Sequence, residues 1–492
     1  MSFSTLPRDT LLYGVSSLLV RGQQLLLIPV YTHYLAAAQY GLVETVVILA
    51  ALANLTVALE IAQGMGRYFA DTPDVEDRNR YPTTAFYFAA FCYVIFAGTG
   101  SVFSGPLSAW LFRSLENSSA LIVALWAIAL NGLFAISLDV LRWQLRPISY
   151  VLASAAYLIF GAVFGASLVA FTELGVLGVF LGQLVGAAVG LSVALLMAEG
   201  LLQAGRISTS ALRQMLRFSL PLVLSSTAIF ASTYVDRITV GSLLGADALG
   251  LYGVAARLAS TVGILTVGLQ AALSPLVYKS WRSPDTPGRL AQIFRIYCVA
   301  MTPVIGGLGL FATEIIELLT EPNFHGASTV LPILAGTSML LSAYIFAPGL
   351  YLGKRTGMAA TLSFCGALVN LGLSLILTAW LGILGAALAA FTAAGIVFAG
   401  HVVWGGRYFR VPFSIPSSLA IGSVLAGLIV AGLVFTMPAF SGDLPSVPAR
   451  LIGLICCCAF VWQFGLTGAD RHAVKTMLTK FVLGFRFRKA PK

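Results

Sequence analysis

Residues 175–198 read GVLGVFLGQLVGAAVGLSVALLMA, a run of 24 residues without a charged side chain. A helix of about 20 apolar residues crosses the ~30 Å hydrocarbon core of a bilayer. Similar runs recur along all 492 residues, of which 58% are hydrophobic and only 10% are charged, whereas soluble domains carry about 25% charged residues. The 49 glycines suit close helix packing in lipid. The sequence therefore predicts an all-α polytopic membrane protein.

The apolar runs divide into fourteen expected spans, each about long enough to cross the membrane. They are 11–35, 40–62, 82–104, 119–141, 151–171, 175–198, 218–244, 248–277, 291–312, 329–352, 357–379, 381–404, 417–437 and 448–467. We group them as an N-lobe of six spans (1–205) and a pseudo-symmetric C-lobe of six spans (206–410). Spans 13 and 14 (411–470) and a basic tail (471–492) follow.

Basic residues are distributed unevenly between the two predicted sides of the membrane. With both termini inside, the inner segments hold 24 of the 29 Lys and Arg residues, and the outer segments hold only Arg113 and Arg450. Cytoplasmic segments of membrane proteins carry this excess of positive charge. A missed or extra span would invert every later segment and remove the asymmetry. The charges therefore predict cytoplasmic termini and a tail that contacts anionic lipids.

A weak internal repeat links the two predicted lobes. After the first span the chain reads YLAAAQYGL (34–42), and after the seventh it reads LLGADALGL (243–251). In both, a turn of small residues precedes a Gly-Leu pair that opens a helix, and Gly41 and Gly250 are 209 residues apart. Six spans separate the copies, so both halves have the same orientation. Parallel repeats of this kind occur in transporters that bind substrate between two halves.

Three arginines, Arg21, Arg237 and Arg257, lie well inside predicted spans, away from the span ends. An arginine at the bilayer centre costs roughly 2.5–3.5 kcal/mol on insertion scales, so each needs a polar environment. Only Glu44 and Asp236 are acidic at a similar depth. One interpretation is that these acids form static ion pairs that lock helices together. The excess of arginines instead favours a water-filled cationic cavity that accepts an anionic group.

Helical spacing places further polar residues beside these arginines. The shared faces are Ser17, Arg21, Gln24 and Tyr31 in the first span, Ser232, Asp236 and Thr239 in the seventh, and Thr233 with Arg237 on the adjoining face of the seventh. Such faces must point at one another or at water rather than at lipid. Arginine keeps its charge in a desolvated site and contacts phosphate through two donors at once. A lipid-linked diphosphate is therefore a suitable ligand.

No motif of an enzyme or a metal site accompanies the cavity residues. The segment GLYLGK (349–354) is one residue short of a phosphate-binding loop. His325 lies near Glu317 and Glu321, but their spacing fits no metal site. We therefore expect a transporter that contains no metal or other cofactor. Coupling to H⁺, to Na⁺ or to the membrane potential remains open.

Spans seven and eight resemble those of Wzx-type lipid-linked oligosaccharide flippases in the multidrug/oligosaccharidyl-lipid/polysaccharide (MOP) exporter superfamily. The matching stretches are RFSLPLVLSS (217–226), YVDRITVG (234–241), GADALGLY (245–252) and AAR (255–257). The resemblance implies two six-helix lobes in a V and alternating access. It also implies transfer of an undecaprenyl-diphosphate-linked oligosaccharide, such as an O-antigen unit of lipopolysaccharide, from the inner to the outer leaflet.

By the same resemblance, the diphosphate would be held by the arginines and neighbouring polar side chains, and the acids would tune the site or couple to a cation. The substrate-binding set is Arg21, Arg237, Arg257, Gln24, Ser232 and Thr233, and the coupling set is Asp236 and Glu44. Spans 13 and 14 would form a groove for the lipid tail.

The expected location is the bacterial cytoplasmic (inner) membrane. The expected partners are the undecaprenyl-diphosphate-linked glycan, membrane lipids and the polysaccharide polymerase machinery, with no role for nucleic acid. Two alternatives are an ion-coupled multidrug or metabolite antiporter of the same superfamily and a membrane polysaccharide polymerase or ligase. The antiporter would favour intramembrane acids over arginines. The polymerase or ligase would need a large outer loop, which this sequence lacks.

Overall fold

The computed structural model describes residues 22, 25–72, 74–198, 201, 207–436 and 446–476, and this part of the chain is helical without strands. Its helices are α1 Leu25–Tyr34, α2 Ala37–Thr56, α3 Ile61–Asp71, α4 Val75–Val102, α5 Ser104–Leu111, α6 Ser118–Trp143, α7 Pro147–Phe171, α8 Gly175–Met197, α9 Thr209–Leu244, α10 Ala246–Ser280, α11 Thr286–Leu310, α12 Ala312–Leu319, α13 Leu331–Ala343, α14 Gly349–Leu352, α15 Thr356–Leu381, α16 Ile383–Gly405, α17 Ile415–Thr436, α18 Val447–Phe460 and α19, residues 468–476. Two 3₁₀ segments, Pro322–Thr329 and Tyr344–Phe346, and a π-turn, Val461–Gly465, complete the elements.

Twelve helices of the described chain are long and apolar enough to cross a membrane. Each corresponds to one of the fourteen predicted spans. The eighth predicted span is α10, a helix of 35 residues, and most of the first span falls outside the described residues. The predicted all-α polytopic fold is confirmed.

The described residues divide by contacts into two compact units. The first unit holds the chain up to Val254, together with Leu319–Phe324 and Thr378–Ile383, and the second unit holds the remainder. This division places all of α9 and the first residues of α10 in the first unit. The lobe boundary at 205/206 derives from the repeat rather than from contacts, and it remains a prediction.

Within the first unit, α2 and α10 cross at the two copies of the repeat. An added Cβ at Gly41 would lie 1.9 Å from the carbonyl oxygen of Ala246, and one at Gly250 would lie 2.1 Å from that of Ala37. The contacts are reciprocal, because Ala37 and Ala246 are also 209 residues apart. The two helices therefore meet about a local pseudo-twofold axis, and only glycine lets their backbones approach this closely.

In the second unit, α18 is joined to α11 and α12 near both of its ends. Near its start, Arg450 donates a 2.8 Å hydrogen bond to the carbonyl oxygen of Leu310 and binds the Glu314 carboxylate. Beyond its end, Arg295 of α11 contacts both carboxylate oxygens of Asp470, at 2.8 and 3.0 Å. Leu310 and Arg295 are fifteen residues apart, about 22 Å of helix. These arginines fasten the last span along the length of α11.

Asp470 also caps the start of α19, which follows Thr467. Its carboxylate accepts a 2.9 Å hydrogen bond from the Thr467 backbone N–H, and its own N–H donates to the Thr467 hydroxyl at 3.3 Å. This reciprocal arrangement is a capping box. Burial raises the pKa of the Asp470 carboxyl, but the hydrogen bonds from Arg295 and Thr467 outweigh burial, and the net effect lowers this pKa below its usual value.

Candidate functional site

Helix α9 carries two candidate residues at consecutive positions, Asp236 and Arg237. The helix begins after Ser208, whose hydroxyl accepts a hydrogen bond from the Ala211 backbone N–H. It ends at Gly245, whose φ of +90° favours glycine, and α10 starts at the next residue. The single-residue turn brings the start of α10 back along the end of α9.

Arg237 lies opposite Glu44 of α2. The distance between Arg237 Nη1 and Glu44 Oε2 is 3.6 Å, and Glu44 is fully buried while the Arg237 side chain is 20% exposed. Tyr234, one turn earlier on α9, places its ring 5.3 Å below the guanidinium carbon. Within the described chain, the guanidinium of Arg237 donates no hydrogen bond to a protein acceptor. The Glu44 carboxylate and the Tyr234 ring therefore orient the guanidinium, and its five N–H donors remain available for other acceptors.

Asp236 is held by contacts other than the Arg237 side chain. Its Oδ2 accepts a 2.6 Å hydrogen bond from the hydroxyl of Tyr252, and its Oδ1 accepts one of 2.8 Å from the Arg237 backbone N–H. Tyr252 is fully buried on α10, and Asp236 is 7% exposed. These bonds satisfy the buried carboxylate and tie α9 to α10.

Glu44 occupies a space that a glycine provides. An added Cβ at Gly253 of α10 would lie 2.3 Å from the Cγ of Glu44. The two positions are equivalent in the repeat, since 209 residues separate them. The pseudo-twofold crossing of α2 and α10 is therefore asymmetric at this level. One copy carries the Glu44 side chain, and the equivalent Gly253 has no side chain and so leaves room for it.

Arg237 also lines a cavity of about 570 Å³ in the first unit. Most of its lining is apolar. Among the described residues that line it, the charged or hydroxyl side chains belong to Arg113, Arg237, Thr45 and Ser242, and none is acidic. Ligand pockets usually have volumes of about 300–1,000 Å³ and a mainly apolar lining with a few polar groups. This cavity can therefore accept an amphiphile whose polar part is anionic.

The structure brings together only part of the predicted site. Glu44, Asp236 and Arg237 form one cluster, and Ser232 lies one turn before Asp236 on α9. Thr233 is exposed, and its hydroxyl bonds back to the Ile229 carbonyl oxygen.

The other predicted substrate-binding residues are Arg257, Arg21 and Gln24. Arg257 is half-buried on α10 and belongs to the second unit. Arg21 and Gln24 lie outside the described residues, so their roles stay predictions.

Three contacts were missed from the sequence. Tyr252 lies within the quoted GADALGLY stretch, but its spacing does not show that it bonds to Asp236. The stacking of Tyr234 on Arg237 follows the i, i+3 rule and could have been anticipated. Gly253 aligns with Gly250 and Arg257 on α10, and the 209-residue offset from Glu44 was the signal that could have revealed their contact.

The charges of the cluster can be compared within the described residues. There, two buried carboxylates, those of Glu44 and Asp236, accompany Arg237. Asp236 is engaged by Tyr252, so Glu44 is the acid that faces the Arg237 guanidinium. Arg21 lies outside the described residues, so the predicted excess of positive charge stays a prediction. The charged residues that line the cavity within the described chain, Arg113 and Arg237, are both cations.

A family model described as "Polysaccharide biosynthesis protein" matches residues 6–281, more than half of the chain. The chain belongs to the polysaccharide biosynthesis protein family. The matched range contains Glu44, Asp236, Arg237 and the cavity. The resemblance to Wzx-type flippases of the MOP superfamily is confirmed at the level of family and fold.

Two curated relatives resemble this member of the family over part of their length. The probable low-salt glycan biosynthesis flippase Agl15 of Haloferax volcanii is 26% identical over 45% of this chain and 48% of its own. The probable multidrug resistance protein YpnP of Bacillus subtilis is 27% identical over 42% of this chain and 48% of its own. The chain spans about half the length of the curated relatives it matches.

Solved structures share the fold of this family member over most of the chain. The lipid II flippase MurJ in an inward closed conformation matches with a TM-score of 0.66 at 14% identity, over 92% of this chain and 96% of that one. An inward-facing MATE family multidrug transporter of the MOP superfamily matches with a TM-score of 0.61 at 15% identity, over 79% and 94%. At these identities the likeness establishes the fold alone.

Proposed function

We propose that the protein is a flippase that moves an undecaprenyl-diphosphate-linked oligosaccharide from the inner to the outer leaflet of the bacterial cytoplasmic membrane. The observation that carries this proposal is the Arg237 guanidinium, which lines the apolar cavity and donates no hydrogen bond within the described residues. A diphosphate supplies the acceptors that such a donor set lacks, and its charge-assisted hydrogen bonds are about twice as strong as neutral ones.

Glu44 would compete with the diphosphate for Arg237. At 3.6 Å the ion pair is longer than a hydrogen bond, so phosphate oxygens could take the shorter contacts without displacing a formed bond. Asp236 would remain bound to Tyr252 and would stay clear of the anion. The pair of acids would thus orient Arg237 without using its donors.

The remaining parts of the proposal extend this local arrangement. Further contacts to the diphosphate would form as the two lobes alternate access. They would come from Arg21, Arg257, Gln24, Ser232 and Thr233. With the inside negative, outward movement of one negative charge is favoured by roughly 2.3 kcal/mol per 100 mV. Protonation or Na⁺ binding at Glu44 and Asp236 would provide ion coupling. The C-terminal pair of spans would guide the lipid tail, and the polymerase machinery would receive the glycan.

An ion-coupled multidrug antiporter is the second candidate, and one observation favours it. Within the described chain, the cluster holds two buried carboxylates beside Arg237, and a buried acid can bind a cationic substrate or a coupling proton. The similarity to YpnP and the fold shared with MATE transporters agree with this alternative. The cavity lining, which contains arginines and no acid, favours the anionic substrate.

Transport by the purified full-length protein in liposomes separates the two candidates. One set of vesicles would contain a fluorescent, short-chain polyprenyl-diphosphate disaccharide, and flipping would be followed by quenching of the outer leaflet. Another set would be tested for uptake of a cationic dye. Wild type, Arg237→Gln and Glu44→Gln would be compared with Arg213→Gln, an exposed arginine on the same helix that does not line the cavity.

We expect the disaccharide lipid to flip and Arg237→Gln to slow flipping at least about tenfold, because a hydrogen bond to a charged group contributes roughly 1.5–3 kcal/mol. The Arg213→Gln control should flip at the wild-type rate. Dye uptake that depends on Glu44, without flipping of the disaccharide lipid, would replace the flippase by the antiporter.

A further inference from the structure

Two arginines break the predicted asymmetry of basic residues, because Arg113 and Arg450 are the only ones assigned to the outer side. Arg450 has a structural reason. It is 7% exposed within α18 rather than in a loop, and it binds Glu314 and the Leu310 carbonyl oxygen. Arg113 therefore remains as the exception to explain.

Arg113 is placed at a strained position and is not neutralised. Its φ is 53°, and it follows Phe112, the C-cap of α5. Glycine is the usual residue for a left-handed conformation just after a helix, and other side chains cost roughly 1–2 kcal/mol there. Its side chain is exposed, donates one hydrogen bond of 2.7 Å to the Ser242 carbonyl oxygen, and has no carboxylate partner among the described residues. The chain therefore keeps a cation at a position that would favour glycine.

The same cavity joins Arg113 to Arg237. Both line it, and so does Ser242, which holds Arg113 and lies five residues beyond Arg237 on α9, about 7.5 Å of helix. The other lining residues are mainly apolar side chains, including Leu49, Phe112 and Ile238. The cavity thus presents one guanidinium from within a predicted span and another from its predicted outer end.

We propose that Arg113 is a second binding residue for the lipid-linked diphosphate, at the outer end of the cavity that Arg237 lines. This inference rests on the proposed function. The apolar wall would hold the first isoprenoid units, and the donors of Arg113 that Ser242 leaves unused would bind phosphate oxygens. The head group would pass from Arg237 to Arg113, so that Arg237 is vacated and returns to Glu44 before the next substrate enters.

Binding to the purified full-length protein in detergent tests the site. The probe is farnesyl diphosphate, and the comparison compounds are farnesol, inorganic pyrophosphate and dihexanoyl phosphatidylglycerol. Two variants remove the charge: Arg113→Gln keeps a polar side chain, and Arg113→Gly relieves the left-handed backbone, so folding is protected. Arg213→Gln is the control for loss of one exposed arginine.

We expect both Arg113 variants to weaken farnesyl diphosphate binding about tenfold, and Arg213→Gln to leave it unchanged. Farnesol and pyrophosphate should each bind much more weakly than the probe. The inference is overturned if both Arg113 variants bind the probe as tightly as wild type. Equal affinity for pyrophosphate or for the phosphatidylglycerol would also overturn it, because the site would then bind free phosphate or bulk lipid.

Flipping in liposomes separates this inference from the proposed function. Loss of flipping in Arg237→Gln with wild-type flipping in both Arg113 variants would overturn the role of Arg113 and leave the flippase intact. Slower flipping in both Arg113 variants, with normal melting temperatures, supports the inference. If neither arginine affects flipping of the disaccharide lipid, the inference and the proposed site both fail.

Discussion

Arginines of the first and second contact units meet carboxylates in different ways. In the second unit, Arg295 contacts both oxygens of Asp470 at 2.8 and 3.0 Å, and Arg450 binds Glu314 and a helix-terminal carbonyl oxygen. In the first unit, the Arg237 guanidinium lies 3.6 Å from Glu44 and donates no hydrogen bond within the described chain. Their side chains are 13%, 6% and 20% exposed, respectively, so burial alone does not separate them.

The two kinds of arginine differ in whether the guanidinium donates hydrogen bonds to the protein. A buried guanidinium that donates hydrogen bonds to a carboxylate holds helices together, and removing it leaves that carboxylate without its donor. A guanidinium that is oriented but unfilled gains most of its hydrogen bonds only when a ligand arrives. We therefore interpret Arg295 and Arg450 as structural residues and Arg237 as a ligand-binding residue.

The largest expected loss of stability follows from removing a structural arginine. Arg450→Ala should lower the free energy of unfolding by about 3 kcal/mol, because it leaves Glu314 and the Leu310 carbonyl oxygen without their donor. Thermal unfolding of the detergent-solubilised protein measures this loss. The control is Arg289→Ala, which removes an exposed 3.9 Å pair with Asp285 and should change little. Equal melting temperatures for the two variants would contradict the structural role.

The glycine crossing that positions Glu44 predicts a smaller loss. Gly41→Ala should destabilise the protein by about 2 kcal/mol, because the new methyl group meets the Ala246 carbonyl oxygen, a backbone atom that cannot rotate away. The matched control is Gly427→Ala in α17, where an added Cβ has no neighbour within 4 Å and helix propensity favours alanine. If Gly41→Ala melts at or above the control temperature, the close crossing of α2 and α10 is wrong.

The smallest effect is expected at Asp470, and it depends on pH. The folded-state pKa of this carboxyl lies below its usual value of about 3.9, so its contribution to stability is complete above that value. The contribution is lost as pH falls through the folded-state pKa. Asp470→Asn should therefore cost about 1.5 kcal/mol at pH 7 and progressively less below pH 4.

Melting temperatures of wild type and Asp470→Asn at pH 7, 5, 4 and 3 give this dependence. Asp71→Asn, at an exposed pair with Arg67, is the control for removing one carboxylate. A difference between wild type and Asp470→Asn that stays constant or grows as pH falls would show that the carboxylate is not stabilised by Arg295 and Thr467.

Much of the fold could be predicted from sequence because hydrophobic length and charge asymmetry are properties of the chain itself. The run at 175–198 became α8, Gly175–Met197, and the other eleven spans also lie near their predicted ranges. The repeat around Gly41 and Gly250 predicted related helices. The sequence did not predict that the two copies cross each other. That contact depends on tertiary packing, which a 209-residue offset does not determine.

The site was predicted less completely. The position of a residue along its predicted span, which sets its depth in the membrane, identified Glu44, Asp236 and Arg237. The structure brings these three residues together. Residue spacing shows which side chains share a face of one helix. It did not show that Tyr252 would donate a hydrogen bond to the Asp236 carboxylate, because that contact joins two helices. Arg450 was counted on the outer side, at the edge of the last predicted span (448–467). Burial against Phe311 and Phe435 instead places it inside the packed unit.

The most direct test of the two kinds of arginine measures stability and flipping on the same protein preparations. We compare Arg237→Gln with Arg295→Gln, since each change removes one positive charge from an ion pair in a different unit. We expect Arg237→Gln to lower the melting temperature less than Arg295→Gln does, because no hydrogen bond of the guanidinium is lost, while flipping of the polyprenyl-diphosphate disaccharide falls at least about tenfold. Arg295→Gln should melt at a clearly lower temperature and, below that temperature, flip at a rate near wild type. The reverse pattern, with stability lost at Arg237 and flipping lost at Arg295, would contradict the account.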